Sequence, residues 1–160
     1  MPGKSVTACC EALIEKKLTI SFVESASAGK ISYDFSTVIN SGQILMGGLV
    51  CYHESVKENL LNIPKEIIEK NTAESAIVTQ LMAKNFHNLV KSDICVALTG
   101  LTTPGGSESP EKPVGTIFLH FIFPHKEIAK KYRFQGTAQE IVQKSIDAIA
   151  EIVTNEVLSS

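Results

Sequence analysis

Residues Leu18 to Val23 form a short apolar run, β-branched and aromatic, that passes directly into Glu24-Ser25-Ala26-Ser27-Ala28-Gly29-Lys30, with an amphipathic stretch behind it. A strand that enters a helix through so short a turn of small residues restricts the chain to folds built from strand–helix units. The same turn sets a serine hydroxyl beside the unpaired N–H groups of a helix N-terminus. That position suits a nucleophile or an anion, because backbone donors stabilise developing negative charge. The plainer alternative is that Ser25 or Ser27 caps the helix.

The rest of the chain alternates in the same way. A helical apolar stripe covers residues 5–16, with Ser5 as its cap. Helix follows the turn from Gly29 to Ile39 and stops at Ser41-Gly42. A second strand is expected over Gly48–Tyr52, then helices over Ser55–Asn62, Lys65–Lys70 and Glu74–Val90. In the longest of these, Ile77, Leu81, Phe86 and Leu89 are among the apolar positions. Asp93–Thr99 is the most apolar strand and is expected at the centre of the sheet. Val114–Phe123 and about Ile128–Phe134, separated by Pro124-His125-Lys126, predict an antiparallel hairpin. Thr137, with Glu140 three residues on, opens a closing helix that runs to Leu158. The expectation is one α/β domain over residues 1–160, with a mixed, mostly parallel sheet of about five strands.

The totals exclude several classes. Fifteen Lys and Arg against seventeen Asp and Glu leave a net charge of −2, and no basic run has interleaved aromatics, which argues against nucleic-acid binding. No apolar stretch approaches the roughly twenty residues that cross a bilayer. Met1-Pro2-Gly3-Lys4 is followed by no apolar leader segment, so a cytoplasmic location without membrane contact is expected. Cys9, Cys10, Cys51 and Cys95 contain no C-x-x-C, and His53, His87, His120 and His125 do not fall at metal-ligand spacings. Buried free thiols are expected, and no metal.

Gly100–Pro113 is a long connection rich in Gly, Pro and Ser at the C-terminal end of the expected central strand. Ligands of α/β sheets gather there, and Gly105-Gly106-Ser107 has the composition of a turn that offers N–H groups to a phosphate or carboxylate. A serine nucleophile needs a base. No histidine has a clear claim, since His53 reads equally well as an exposed loop residue. A lysine kept neutral by burial serves instead. Lys57 lies five residues after Tyr52 across a strand-to-helix junction, and Tyr52 is placed to shuttle a proton or to hold the amine in line. On residue types alone, a solvated Lys57 and an interior Tyr52 with its hydroxyl at the rim are the plainer reading.

Five blocks occur in order: Glu24-Ser25; Gly47-Gly48-Leu49-Val50-Cys51-Tyr52 with Lys57; Thr99-Gly100 with Pro104-Gly105-Gly106-Ser107; Glu111-Lys112-Pro113-Val114-Gly115-Thr116; and Phe134-Gln135-Gly136. Together they resemble the C-terminal domain of the competence/damage-inducible CinA proteins, the nicotinamide-nucleotide amidase family, over nearly the whole chain. The resemblance implies a three-layer α/β/α domain, often dimeric, that hydrolyses the carboxamide of nicotinamide mononucleotide to nicotinate mononucleotide and ammonia without a cofactor. The family's serine, tyrosine and lysine fall on Ser25, Tyr52 and Lys57. Ser27 and the N–H groups from Ala26 to Gly29 become candidates for the oxyanion hole. Gly100, Pro104, Gly105, Gly106 and Ser107 become candidates for holding the ribose phosphate.

The chain departs from the family's pattern at three places. The first turn has Ala28 where a glycine is usual, the loop has Thr103 in place of another, and Gly136-Thr137-Ala138 stands where Gly-Asp-Arg is usual. An arginine is a natural phosphate partner, and only Arg133 lies close in sequence. Two other readings therefore stand beside the amidase: a catalytically weak or inactive nucleotide-binding or interaction domain, and an amidase for a different small amide.

Overall fold

A computed structural model describes all of residues 1–160. Five strands form one sheet in the order β2-β1-β3-β4-β5. They are β1 (Ile20–Glu24), β2 (Leu45–Val50), β3 (Ile94–Gly100), β4 (Thr116–Phe123) and β5 (Lys126–Arg133). β1 pairs in parallel with both β2 and β3. β4 is antiparallel to β3 and to β5. Four of the five strands thus run in one direction. The apolar β3 is central, as its composition predicts, and the hairpin closes through Pro124-His125.

Helices cover both faces. On one side α1 (Lys4–Lys16), α2 (Lys30–Ser36) and α6 (Ala138–Leu158) bury a large core with Phe22, Val96, Leu98, Leu119 and Phe121. On the other, α3 (Glu54–Leu61), α4 (Lys65–Asn71) and α5 (Ala76–Leu89) pack a smaller one around Val23, Cys95 and Ala97. This is the three-layer α/β/α arrangement. Alternate residues of a strand point to opposite faces, so Phe22 enters the first core and Val23 the second. Strands covered on both sides are apolar throughout, and β1 and β3 are buried over almost their whole length.

Several local expectations are corrected. Ser5 does not cap α1; it lies inside the helix, and its hydroxyl donates to Asp147 at 2.5 Å, tying α1 to α6. α2 stops at Ser36, where the Ser36 and Thr37 hydroxyls bond back to the carbonyls of Tyr33 and Asp34. β2 begins at Leu45 rather than Gly48, because Gly47-Gly48 lies inside the strand. A Cβ at Gly48 would sit 2.1 Å from Ser32 Oγ, so the missing side chain lets α2 rest on the sheet. In α5 the core face is Val78, Met82, Ala83 and Phe86, while Ile77 and Leu89 are exposed. The hydroxyl and N–H at Thr137 and Glu140 form the expected capping box.

All four cysteines are buried free thiols. Burial pushes Cys9 and Cys95 up to about 12 and Cys10 to about 11, so these thiols stay protonated. No helix is long and apolar enough to cross a membrane.

Candidate active site

β1, β2 and β3 are parallel and in register, with Glu24 opposite Val50 on one side and Leu98 on the other. Their C-terminal ends therefore deliver Ser25, Cys51-Tyr52 and Gly100-Leu101 to one edge of the sheet. Ser25 N–H donates to the Leu98 carbonyl, and Cys51 N–H to the Glu24 carbonyl at 2.7 Å. The nucleophile candidate thus sits on backbone fixed from both neighbouring strands.

The turn after it is held by Glu24. This side chain is fully buried and accepts five hydrogen bonds: from the N–H groups of Gly29, Ile31 and Ser32, and from the hydroxyls of Ser27 and Ser32. It satisfies the orphan donors that begin α2 from the preceding strand, which also complements the positive end of the helix dipole. Neither Ser25 nor Ser27 is the cap. The turn includes two consecutive left-handed residues, Ala28 (φ 49°) and Gly29 (φ 94°). Alanine thus occupies a conformation that glycine adopts without penalty.

Lys57 is 1 % exposed, and its side chain runs back from α3 beneath the ends of β1 and β2. Nζ stands 3.0 Å from Ser25 Oγ, 2.6 Å from the Cys51 carbonyl and 3.4 Å from the Tyr52 carbonyl. Three acceptors match the three N–H bonds of an ammonium, and on loss of one proton two N–H bonds stay on the carbonyls while the lone pair is left facing the Ser25 hydroxyl. Burial pushes the Lys57 amine below its ordinary value, partly opposed by the Cys51 thiol and by Glu74 and Glu54. Ser25 itself is buried, and the N–H groups of Ala26 and Ser27 donate to no protein group.

A cleft of about 250 Å³ opens over Ser25. Ala26 continues its floor, Tyr52 and Glu74 stand at one side, and the segment from Gly100 to Gly106 closes the other. Of the residues expected from the sequence, Ser25, Tyr52, Gly100, Pro104, Gly105 and Gly106 meet here. Four do not line it, and of these Lys57 lies behind Ser25, bonded to its hydroxyl. Ser27 and Gly29 face Glu24, so the Ser27 hydroxyl and Gly29 N–H are already engaged. Ser107 turns to Glu74, donating at 2.5 Å. Tyr52 is not interior: the residue is 63 % exposed, and its hydroxyl bonds neither Ser25 nor Lys57. His53 is exposed and caps α3 through Nδ1.

Sequence reasoning missed Glu24, Glu74 and Lys112. Lys112 Nζ donates to Thr72 Oγ1, to the Glu74 carbonyl at 3.0 Å and to Ser107 Oγ at 2.8 Å, pinning the long loop to the α4–α5 connection. Glu24 gave no usable signal in the sequence, because Ser25 and Ser27 stood as the natural caps and three of its five donors are backbone N–H groups. Glu74 and Lys112 are far apart in sequence and meet only through the fold. No group of three or more His, Cys, Asp or Glu residues is placed to hold a metal ion.

Comparison with known proteins gives this arrangement a family. The CinA C-terminal domain model matches residues 4–157. A CinA-like protein of Geobacter sulfurreducens is 35% identical over 135 residues, covering 84% of this chain and 32% of its own length. One from Desulfotalea psychrophila is 29% identical over 151 residues, covering 92% of this chain and 36% of its own. The chain therefore spans about a third of the length of the curated relatives it matches. The crystal structure of a competence-damaged protein (CinA) superfamily member from Klebsiella pneumoniae has the same fold, with a TM-score of 0.91, 98% of each chain covered and 21% identity. With the family model and the 35% identical relative in agreement along the length of the fold, the chain belongs to the CinA C-terminal domain family.

Proposed function

We propose that this chain is a serine–lysine amidohydrolase acting on a small aromatic carboxamide, with nicotinamide mononucleotide and its nucleoside as the substrate class. The observation that carries the proposal is the Ser25 Oγ–Lys57 Nζ distance of 3.0 Å between a hydroxyl at the cleft floor and a buried amine of lowered basicity. A nucleophile and base within hydrogen-bond reach, with the base oriented by further groups, is the signature of covalent acyl transfer. Here the Cys51 and Tyr52 carbonyls are the orienting groups.

Ser25 Oγ attacks the amide carbon while Lys57 takes the hydroxyl proton, forming the C–O bond and placing charge on the carbonyl oxygen. The free N–H groups of Ala26 and Ser27 are the donors for that oxyanion. Lys57 then returns the proton to the nitrogen as the C–N bond breaks, releasing ammonia. Water, deprotonated by the neutral amine, hydrolyses the ester, and the proton passes back to Ser25. Atoms balance as amide plus water giving acid plus ammonia. Tyr52 contributes its carbonyl to the lysine and its exposed ring to the cleft rim, a face on which a heteroaromatic ring stacks.

Release of ammonia from nicotinamide mononucleotide and from a panel of small aromatic amides tests the reading, with Ser25→Ala purified in parallel. The variant is expected to lose at least about a thousandfold in kcat/KM while keeping its melting temperature. No release from any amide by folded protein, together with no labelling by a serine-directed probe, favours the binding-domain alternative.

A cytoplasmic homodimer completes the proposal. β2 is a sheet edge with Met46 and Val50 exposed, whereas the β5 edge is guarded by Lys126, Lys130, Lys131 and Arg133. Light scattering at micromolar concentration is expected to give twice the chain mass, and a monomer mass removes the dimer.

A further inference from the structure

None of the residues lining the cleft is a lysine or arginine, and one of them, Glu74, is a carboxylate. Lys57 lies behind Ser25 with its amine taken up by Ser25 and two carbonyls. Lys112 is turned onto Thr72, Glu74 and Ser107. Arg133, exposed at the end of β5, does not reach the cleft wall, and Thr137-Ala138 brings no cation to the start of α6. A phosphomonoester bound here would meet dipoles but no unpaired cation, since Lys112 Nζ already stands 4.0 Å from the Glu74 carboxylate, although phosphate sites ordinarily supply one.

The dipoles of the Gly-Gly turn are also in use. Gly105 is left-handed (φ 97°), and its N–H donates to Glu108 Oε1 at 2.7 Å. The N–H groups of Gly105, then of Glu108 and Gly106, hold the Glu108 carboxyl below the usual carboxylate range. A concave run of backbone N–H groups is an anion site, and in this chain the anion is its own side chain. Two carboxylates thus stand at the cleft: Glu74 in its lining and Glu108 on the Gly105 N–H that borders it.

We infer that the cleft takes an aromatic carboxamide whose distal end carries no anion: a pyridinium nucleoside in preference to its 5′-phosphate. The inference rests on the amidase reading above. A pyridinium ring is a cation, so Tyr52 offers it a quadrupolar face and Glu74 a complementary charge. The phosphate's negative charges meet the same two carboxylates as repulsion. Glu108 acts as a specificity device by filling the donors that a phosphate needs.

The experiment compares kcat/KM for nicotinamide riboside and nicotinamide mononucleotide, at low and high salt, in the native chain, Glu108→Gln and Glu74→Gln. The nucleoside is expected to be favoured by about tenfold or more at low salt. High salt narrows that ratio through screening, and each Gln variant narrows it by about threefold. A merely structural role for either glutamate would lower both substrates together and leave the ratio unmoved. Equal or better hydrolysis of the mononucleotide by the native chain overturns the inference while the amidase reading stands. A nucleoside preference that neither salt nor either variant shifts also overturns it. Ammonia from neither substrate, nor from other aromatic amides, removes the amidase reading and this inference with it.

Discussion

The two walls of the cleft are built on opposite principles. The nucleophile wall is short-range and buried: Ser25 follows Glu24 directly on a central strand, and every donor that Glu24 reaches lies within eight residues of it. The loop wall, from Leu101 to Pro113, has no regular structure and is largely exposed. Side chains hold it from outside, through Lys112, Ser107 and Glu74. A wall that positions a reacting atom tolerates little displacement. A wall that sorts substrates needs only the right groups at its surface, and loops carry such variation at low cost to the fold. The difference teaches where the chain is free to change: the Ser25–Lys57 pair is buried and held from several sides, whereas the loop is exposed and irregular.

The largest expected effect therefore falls on the buried wall. Lys57→Met keeps the volume but removes the base, and is expected to lower kcat by at least about a thousandfold. In the native chain, kcat/KM should fall as pH drops through the lowered pKa of Lys57, because only the neutral amine accepts the Ser25 proton. Stability moves with the same sign. Between the folded pKa and the ordinary 10.5, the unfolded chain binds more protons than the folded one, so stability rises with pH across that window and is lost as pH falls through it. Lys57→Met should abolish this dependence and melt no lower than the native protein near neutral pH. Thermal melts across pH read the second effect and a pH–rate profile the first. A flat profile through the acidic range breaks the assignment of the base.

Next in size is Glu24→Gln. A glutamine offers one acceptor oxygen, and its amide N–H₂ is driven against backbone N–H groups that have lost their partner. The cost is about 2–4 kcal/mol of stability, with kcat down by about tenfold to a hundredfold through misplacement of Ser25. KM should change little, because Glu24 does not line the cleft. A KM effect equal to the kcat effect would mean that the turn serves binding rather than positioning.

Lys112→Met is expected to be milder and of the opposite kind. Its hydrogen bonds are charge-assisted but only partly buried, so losing them costs about 1 kcal/mol. KM should rise by about threefold to tenfold with kcat nearly unchanged, and limited proteolysis between residues 101 and 113 should quicken. Should kcat fall instead, the loop wall would have a share in positioning and the contrast between the walls would dissolve.

This contrast also governs what was legible in the sequence. Strand and helix types, the central place of β3 and the β4–β5 hairpin follow from periodicity and turn residues. The meeting of Ser25 and Lys57 follows once β1 and β2 are read as parallel neighbours, because both residues then leave the same edge. Glu24 was hidden because its partners are mostly backbone N–H groups, which every sequence possesses. Gly47-Gly48 hid the start of β2, since glycine is a poor strand former unless a helix must approach. In the loop wall, the folding back of Glu108 onto Gly105 and the meeting of Lys112 with Glu74 depend on tertiary placement that no local pattern encodes.

The smallest expected effect tests how firmly the buried wall is held. Ala28 is left-handed at φ 49°, where a methyl group costs about 1 kcal/mol that glycine does not. Such strain persists only when the surroundings over-determine the conformation, and the five hydrogen bonds to Glu24 are those surroundings. Ala28→Gly should therefore raise the melting temperature by about 2–4 °C, slightly reduced by the greater freedom of glycine in the unfolded chain. The double variant with Glu24→Gln sharpens the point. Once the carboxylate no longer fixes the turn, the alanine can relax, and the gain from glycine should shrink towards zero. A full, additive gain in that background would show that the strain at Ala28 is imposed by the strand and helix themselves and not by Glu24.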